Sequence, residues 1–317
     1  MSRSTLIALG AGLASALFWL TGLLGPIASL PLFLAGLSLG TQAASIACAV
    51  GFFLIWLLGT QIGDGALLAG LYGLVYAVPA LIVVRQSLLR RQPPTGPTIW
   101  YGSGGIVSIL TAFFLGLLLL AASFFWLNGL SVGDALATQV AELVKAVDAE
   151  WTEAERQNVI ARTIVMLPDL VSVLPGLVMT SWLLMTLASA GIAQSLLTRM
   201  GRNLRPKGSL HEVNLPLWMS WLLVISAAVA LVGPGDLGYI GDNLALVAAA
   251  PFFMVGLSLA HMMAKRLPSP GLALTAFYLV LLLLGPALLL VAGIGIIDQW
   301  YGLRHRLGAP GNDQETE

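Results

Sequence analysis

The chain has 317 residues, with 15 basic and 15 acidic side chains and a formal net charge of zero, which gives no global attraction to nucleic acid. Hydrophobic residues make up 58% of the chain and charged residues 9%, whereas about 25% charged residues is usual in soluble domains. These values exclude a soluble globular protein, and the long apolar runs lack the alternation of barrel strands, so they predict an all-α, polytopic transmembrane helical bundle.

We predict about eight to ten membrane segments in a single transmembrane domain, residues 1–303, followed by a polar, disordered cytoplasmic tail, residues 304–317. The piece 27–40 is short for a full crossing, so a tilted, broken or re-entrant segment stays open there. The last block is interrupted at Gly285-Pro286, which favours a hairpin over one long helix. In chain order the predicted segments are 5–24, 27–40, 41–59, 65–84, 100–127, a span ending near 197, 215–233, 244–264 and 271–297.

Residues 128–163 form the longest polar stretch, and apolar side chains at helical spacing within it predict an amphipathic insertion on the extracytoplasmic side. A capping-box pattern at 152–155 predicts the start of a second helix there. The insertion is either a lid or partner-docking element, or an interfacial helix that joins two spans.

Lys and Arg concentrate in alternate loops, at Arg3, 85–91, 199–207 and 265–266. By the positive-inside rule these loops are cytoplasmic, which predicts a cytoplasmic N-terminus in the bacterial cytoplasmic (inner) membrane.

Two segments share the pattern Pro-x-Phe-x-x-Gly-Leu-Ser-Leu: residues 31–39 read PLFLAGLSL and residues 251–259 read PFFMVGLSL. The pattern indicates an internal repeat or a shared packing role, although chance matches arise easily in an apolar chain. The predicted topology makes the two copies parallel, which excludes the simplest inverted repeat.

Few ionisable residues fall inside the predicted spans, so the sequence gives little sign of proton coupling. Several polar residues gather instead near the predicted outer ends of the helices. They are interpreted either as interfacial solvation or as a ligand-binding outer mouth, formed by Asp64, Asp169, Tyr239, Asp242 and Asn243.

Enzyme motifs are scarce. The chain has no P-loop and no metal-ligand spacing, so we expect no cofactor, no metal and no catalytic residues. Gly36-Leu37-Ser38-Leu39-Gly40 matches the nucleophile pattern Gly-x-Ser-x-Gly but lacks the strand–turn–helix context. A membrane serine hydrolase using Ser38 and His261 is therefore only a remote alternative.

The ending GIIDQWYGLRHR at 295–306 and the opening GPIASLPLFLAGLSLG at 25–40 resemble the YybS-like family of bacterial membrane proteins, which has no assigned activity. Gly241, Asn243 and Leu244, with Phe-Phe-x-x-Gly-Leu at 252–257, also fit that family. The resemblance implies a distant similarity to the S components of energy-coupling-factor transporters. Such a protein would capture a substrate within its bundle, while separate subunits spend ATP.

Helix one carries small residues four apart, at Ala8, Gly12 and Ala16. Such rows let helices approach closely in lipid. The resemblance implies that this face docks a coupling subunit, and the alternative is packing within the chain's own bundle. The lipid bilayer and a membrane coupling subunit are the expected partners. Two functions remain, an S-component-like binding protein for a small molecule or transporter subunit, and a membrane scaffold or assembly protein without a ligand.

Overall fold

The computed structural model describes residues 2–131, 153–206, 208 and 213–303, with the backbone alone for 153–171 and residue 286. The predicted amphipathic helix within 132–152 and the tail 304–317 lie outside these residues. The chain forms helices α1 (Arg3–Leu20), α2 (Leu30–Leu39), α3 (Thr41–Gly59), α4 (Gly65–Tyr72), α5 (Val78–Leu88), α6 (Ser103–Leu127), α7 (Glu153–Arg199), α8 (Leu217–Val232), α9 (Asp236–Ala264), α10 (Pro270–Leu283) and α11 (Gly285–Tyr301), and the two-residue strands β1 (Arg90–Arg91) and β2 (Ile99–Trp100).

The prediction of an all-α bundle with several membrane spans is confirmed. Six helices in the described residues are long and apolar enough to cross a membrane: Arg3–Leu20, Thr41–Ile62, Gly65–Leu88, Ser103–Leu127, Ser172–Arg199 and Asp236–Ala264. The span Gly65–Leu88 is α4 and α5 joined by the π-helical turn Gly73–Ala77. Gly25–Leu39 and Leu217–Val232 are shorter apolar helices.

The last apolar block is broken where Gly285-Pro286 predicted a break. The axes of α10 and of Ala287–Tyr301 differ by 118°, so 271–297 is not one straight helix. Pro286 lies in the first turn of α11, where its missing N–H removes no helical hydrogen bond.

Three boundaries differ from the predicted ones. Helix α1 ends at Leu20 because Gly22 adopts a left-handed conformation (φ +66°) that ends the helix. Helix α6 begins at Ser103 because 99–100 pairs with 90–91 in a small hairpin, in which Arg90 lies 5.8 Å from the Trp100 ring. The polar start at Glu153 and the span ending at Arg199 are one continuous helix, α7.

The bundle has two groups of helices around α6 and α7. Helices α1, α2 and α3 pack on one another, and α5 packs on α2 and α3. In the second group α9 packs against α8, α10 and α11. Helix α7 contacts both α2 and α9, and α6 contacts both α5 and α9. The two helices that carry the repeated phrase, α2 and α9, therefore both pack on α7.

Both copies of the repeated phrase run toward the same end of the bundle. Helix α2 ends at a groove that Arg3 and Arg202 also line, and we call this end of the molecule the arginine-bearing end. Helix α9 begins beside the last turns of α6, which itself starts at that arginine-bearing end. The parallel arrangement of the copies therefore follows from the packing as well as from the loop charges.

The glycine of each copy lies at a close helix contact. A Cβ added at Gly36 would come within 2.5 Å of a methyl of Val84 on α5. A Cβ added at Gly256 would overlap the Val291 carbonyl oxygen on α11, and one at Gly295 would overlap the Phe252 carbonyl oxygen on α9. The shared phrase thus marks two positions where only glycine lets neighbouring helices approach this closely.

We expect Gly256→Ala to destabilise the bundle by about 1–3 kcal/mol, because the added methyl must push α11 away from α9. The measurement is thermal unfolding of the full chain in mild detergent. Gly293→Ala on α11 is the matched control, since nothing lies within 4 Å of a Cβ there. Equal melting temperatures for the two variants would contradict the close contact.

Candidate functional site

Asn243, one of the predicted outer-mouth residues, is buried between α7 and α9. Its side-chain oxygen accepts a hydrogen bond from the Gly176 N–H at 2.6 Å. Its side-chain amide donates to the Ser172 carbonyl at 2.7 Å and to the Tyr239 carbonyl at 2.8 Å. With 1% of its surface exposed, Asn243 links two helices through an almost complete set of bonds.

The two partners of Asn243 on α7 are backbone groups that an unbroken α-helix joins to each other, since the Gly176 N–H normally bonds the Ser172 carbonyl. Pro175 lies directly before Gly176, lacks an N–H and disturbs this turn of the helix. In this turn the Asn243 side chain accepts from the Gly176 N–H and donates to the Ser172 carbonyl. A Cβ at Gly176 would lie 2.9–3.0 Å from Asn243 atoms, so the glycine makes room for the amide.

The other predicted mouth residues do not all converge. Tyr239 lies one turn before Asn243 and is joined to it through its carbonyl. Asp242 is exposed on α9, and Asp64 is exposed at the turn between α3 and α4. Asp169 lies in α7, of which only the backbone is described at that point. The structure thus joins Tyr239 to Asn243 and leaves two carboxylates at the surface.

The small-residue row of α1 lies inside the bundle. Ala8 and Ala16 are fully buried, and α1 packs against α3. A Cβ at Gly12 would overlap the Ala47 carbonyl oxygen of α3. This face is therefore covered by the chain itself, as in the alternative interpretation of the row.

Ser38 and His261 each bond their own neighbourhood. Ser38 donates to the Leu34 carbonyl at 2.5 Å, one turn back in α2. The ring of His261 contacts the Leu257 carbonyl at 2.9 Å and the Tyr278 hydroxyl at 3.2 Å. The hydrogen bonds of Ser38 and His261 therefore go to separate local partners and do not join the two side chains as a nucleophile and its base. Within the described residues no group of three or more His, Cys, Asp or Glu side chains could hold a metal ion.

A buried polar contact that the sequence did not reveal ties α1 to α4. Ser15 donates to the Ala28 carbonyl at 2.6 Å, so the hydroxyl of Tyr72, 2.7 Å away, donates to Ser15. Tyr72 is fully buried, and Gly51 on α3 leaves the space for its hydroxyl. The hydroxyls of Ser15 and Tyr72 are therefore occupied by hydrogen bonds inside the protein.

The arginine-bearing end of the bundle holds a cavity of about 150 Å³. It is lined by Leu37, Val83, Ser87, Ser103, Ala190, Gln194, Arg205, Pro206, Gly208 and Val213. The Arg205 guanidinium donates to the Ser87 carbonyl at the end of α5, over a long 3.4 Å. The backbone around it is firmly held, since the Arg205 carbonyl accepts from Gln194 at 2.7 Å and the Leu204 N–H donates to the Leu37 carbonyl.

Arg205 is a half-buried cation without a described counter-ion. Among the described residues, none with a carboxylate lines its cavity. Burial lowers the pKa of the Arg205 guanidinium, although an arginine stays charged at neutral pH. Sequence reasoning placed Arg205 only among the cytoplasmic loop charges, because nothing in a basic loop shows which residue folds back onto the helix ends.

The tail residues that carry the family resemblance have packing partners in the structure. Asp298 is buried on α11. The Gln299 amide bonds both the N–H and the carbonyl of Leu215, ahead of α8. The Trp300 indole N–H donates to Ser220 at 3.4 Å. Gln299 and Trp300 thus join α11 to the start of α8 by hydrogen bonds.

Comparison with known proteins gives a family but no function. A family model described as "Predicted membrane protein (DUF2232)" matches residues 6–299. No curated protein and no solved structure matches the chain. The match covers nearly all of the described bundle and gives no activity, substrate or partner.

We expect Asn243→Ala to lower the free energy of unfolding by about 1–3 kcal/mol, because it removes the hydrogen bonds of the Asn243 amide to the Ser172 carbonyl and the Gly176 N–H in an apolar setting. Thermal unfolding in detergent measures this, with the exposed neighbour change Asp242→Asn as control.

In a Pro175→Ala background the same Asn243→Ala change should cost much less, because the α7 ladder can close on itself. A double-mutant cycle on the two sites measures this coupling. Additive effects of the two substitutions would show that Asn243 does not compensate for the proline.

Proposed function

Because the chain belongs to the DUF2232 family of predicted membrane proteins, whose description names a location and no activity, we propose its function from the geometry. It is a non-enzymatic binding protein of the bacterial cytoplasmic membrane. Its arginine-bearing end holds a small anionic molecule or the anionic group of a membrane partner. By the positive-inside rule this end faces the cytoplasm, and the N-terminus lies there too.

The observation that carries this proposal is Arg205, a half-buried cation in a cavity whose described lining residues include no carboxylate. A charge that loses water without gaining a counter-ion costs free energy. A phosphate or carboxylate group in the cavity would offset that cost and accept hydrogen bonds from the guanidinium fork. The hydroxyls of Ser87 and Ser103 border the same space and add polar atoms.

In a finer form of this proposal the chain is an S-component-like protein. In that form the chain is transport-related, and a coupling subunit would bring its acidic group to the arginine-bearing end. The α1 row of small residues does not support such docking, since α3 already covers it. The outer mouth at Asp64, Asp169, Tyr239, Asp242 and Asn243 is a weaker candidate, because Asn243 is occupied in joining α7 to α9.

The second candidate is a scaffold without a ligand. It is favoured by the closed bonding of the buried polar residues, since Asn243, Ser15 and Tyr72 all bond other groups of the chain. Such a bundle would present its outer surfaces to other membrane proteins. An intramembrane hydrolase is not proposed, because Ser38 and His261 bond separate local partners.

The test uses the full chain in mild detergent with inorganic phosphate as probe, at constant ionic strength set with chloride. We expect phosphate to raise the melting temperature saturably, because a ligand that binds only the folded state stabilises it, by about 2.7 kcal/mol at 100 times its dissociation constant. Arg205→Gln should lose this response, whereas Arg91→Gln, in the exposed hairpin, should keep it.

Without phosphate, Arg205→Gln should be as stable as the parent chain or more so, because it removes a half-buried charge that has no counter-ion among the described residues. Native mass spectrometry of the purified chain should also show a bound anion or an acidic protein that Arg205→Gln releases. An unchanged melting temperature in phosphate, with neither species bound, would overturn the proposal in favour of the scaffold.

A further inference from the structure

We propose that the groove between α1, α2 and the end of α7 binds the headgroup of an anionic phospholipid. The groove has a volume of about 530 Å³. Its lining is Arg3, Ser4 and Ile7 from α1, Leu34, Ser38 and Leu39 from α2, and Leu197, Met200 and Arg202 from the end of α7 and the turn after it. It therefore lies where three membrane helices reach the headgroup level.

The charge of the groove is positive and unbalanced. Arg3 and Arg202 line it, and none of the described residues in its lining carries a carboxylate. Both arginines are exposed, so their guanidinium groups can stay at the water boundary while their stems follow apolar surface. Basic pockets between membrane helices on the cytoplasmic side suit anionic lipid headgroups.

The helix ends at the groove are of both signs. Helices α2 and α7 end here, and some of their terminal carbonyls are bonded, since Leu196, Leu197 and Thr198 accept from the N–H groups of Met200, Arg202 and Gly201, and Gly36 and Leu37 accept from Gly40 and Leu204. Helix α1 starts here, and its N-terminal end is the positive end of the helix dipole. The positive sign of the groove therefore comes from the side chains of Arg3 and Arg202.

Below the arginines the groove is apolar, and this decides the kind of ligand. Ile7 and Met200 in the lining are 44% and 58% exposed, and Leu34, Leu39 and Leu197 add further apolar side chains. Ser38 adds little polarity, because its hydroxyl donates to the Leu34 carbonyl within its own helix. An anionic phospholipid would place its phosphate beside the two arginines and its acyl chains on the apolar surface. A soluble anion would contact the arginines alone.

This site is separate from the Arg205 cavity, since the two linings share no residue. The inference therefore does not depend on the proposed function, and variants at one site leave the other intact.

The test is native mass spectrometry of the full chain after exchange into equal mixtures of phosphatidylglycerol and phosphatidylcholine. We expect the parent chain to retain phosphatidylglycerol preferentially. The double variant Arg3→Gln with Arg202→Gln should lower that preference by roughly tenfold or more, because each basic side chain near an anionic lipid contributes separately. Met200→Glu, which puts a carboxylate into the groove at an exposed position, should do the same.

Two controls match these changes in charge and exposure. Lys265→Gln with Arg266→Gln removes two cations at the end of α9, and Met263→Glu adds a carboxylate at a methionine that is 55% exposed. Both should keep the parent preference. Equal retention of the two lipids by the parent chain, or equal loss in the control variants, would overturn the proposal. Displacement of the lipid by millimolar glycerol phosphate would show that the groove recognises a free anion instead.

Discussion

Hydrocarbon offers no hydrogen-bond partners, so every backbone N–H and carbonyl inside a membrane span must be bonded within the protein. One such case lies in the turn of α7 that contains Pro175, a residue without an N–H. The Asn243 amide from α9 bonds the Gly176 N–H and the Ser172 carbonyl in this turn. These bonds join α9 to α7, the helix that contacts both helix groups.

Close approach of the helices is the second consequence of the apolar solvent. Without a hydrophobic force between spans, association relies on van der Waals contact and on small residues that permit it. Gly12, Gly36 and Gly256 each lie where a methyl would overlap a neighbouring helix. The interior is consequently filled by side chains and backbone, and the buried side chains of Asn243, Ser15 and Tyr72 bond other groups of the chain.

This use of the interior shifts the chemistry of recognition to the helix ends. Arg205 folds back over the ends of α5 and α7, and Arg3 and Arg202 face each other across a groove. A positive charge at the helix ends costs little free energy because water is near. Where folding removes part of that water, the charge can select an anionic ligand. The proposed anion site at Arg205 and the proposed lipid groove at Arg3 and Arg202 both lie at these helix ends.

The sequence by itself determined the all-α membrane class, the approximate spans and the break at Gly285-Pro286, because apolar length and proline geometry act locally. It also singled out Asn243 and the repeated glycines, although not their partners. Only the tertiary structure decided that Asn243 bonds α7 beside Pro175, that α3 covers the α1 row, and that Arg205 is half-buried. Those outcomes depend on which helices become neighbours, and contacts between distant segments leave no periodic or compositional trace in one sequence.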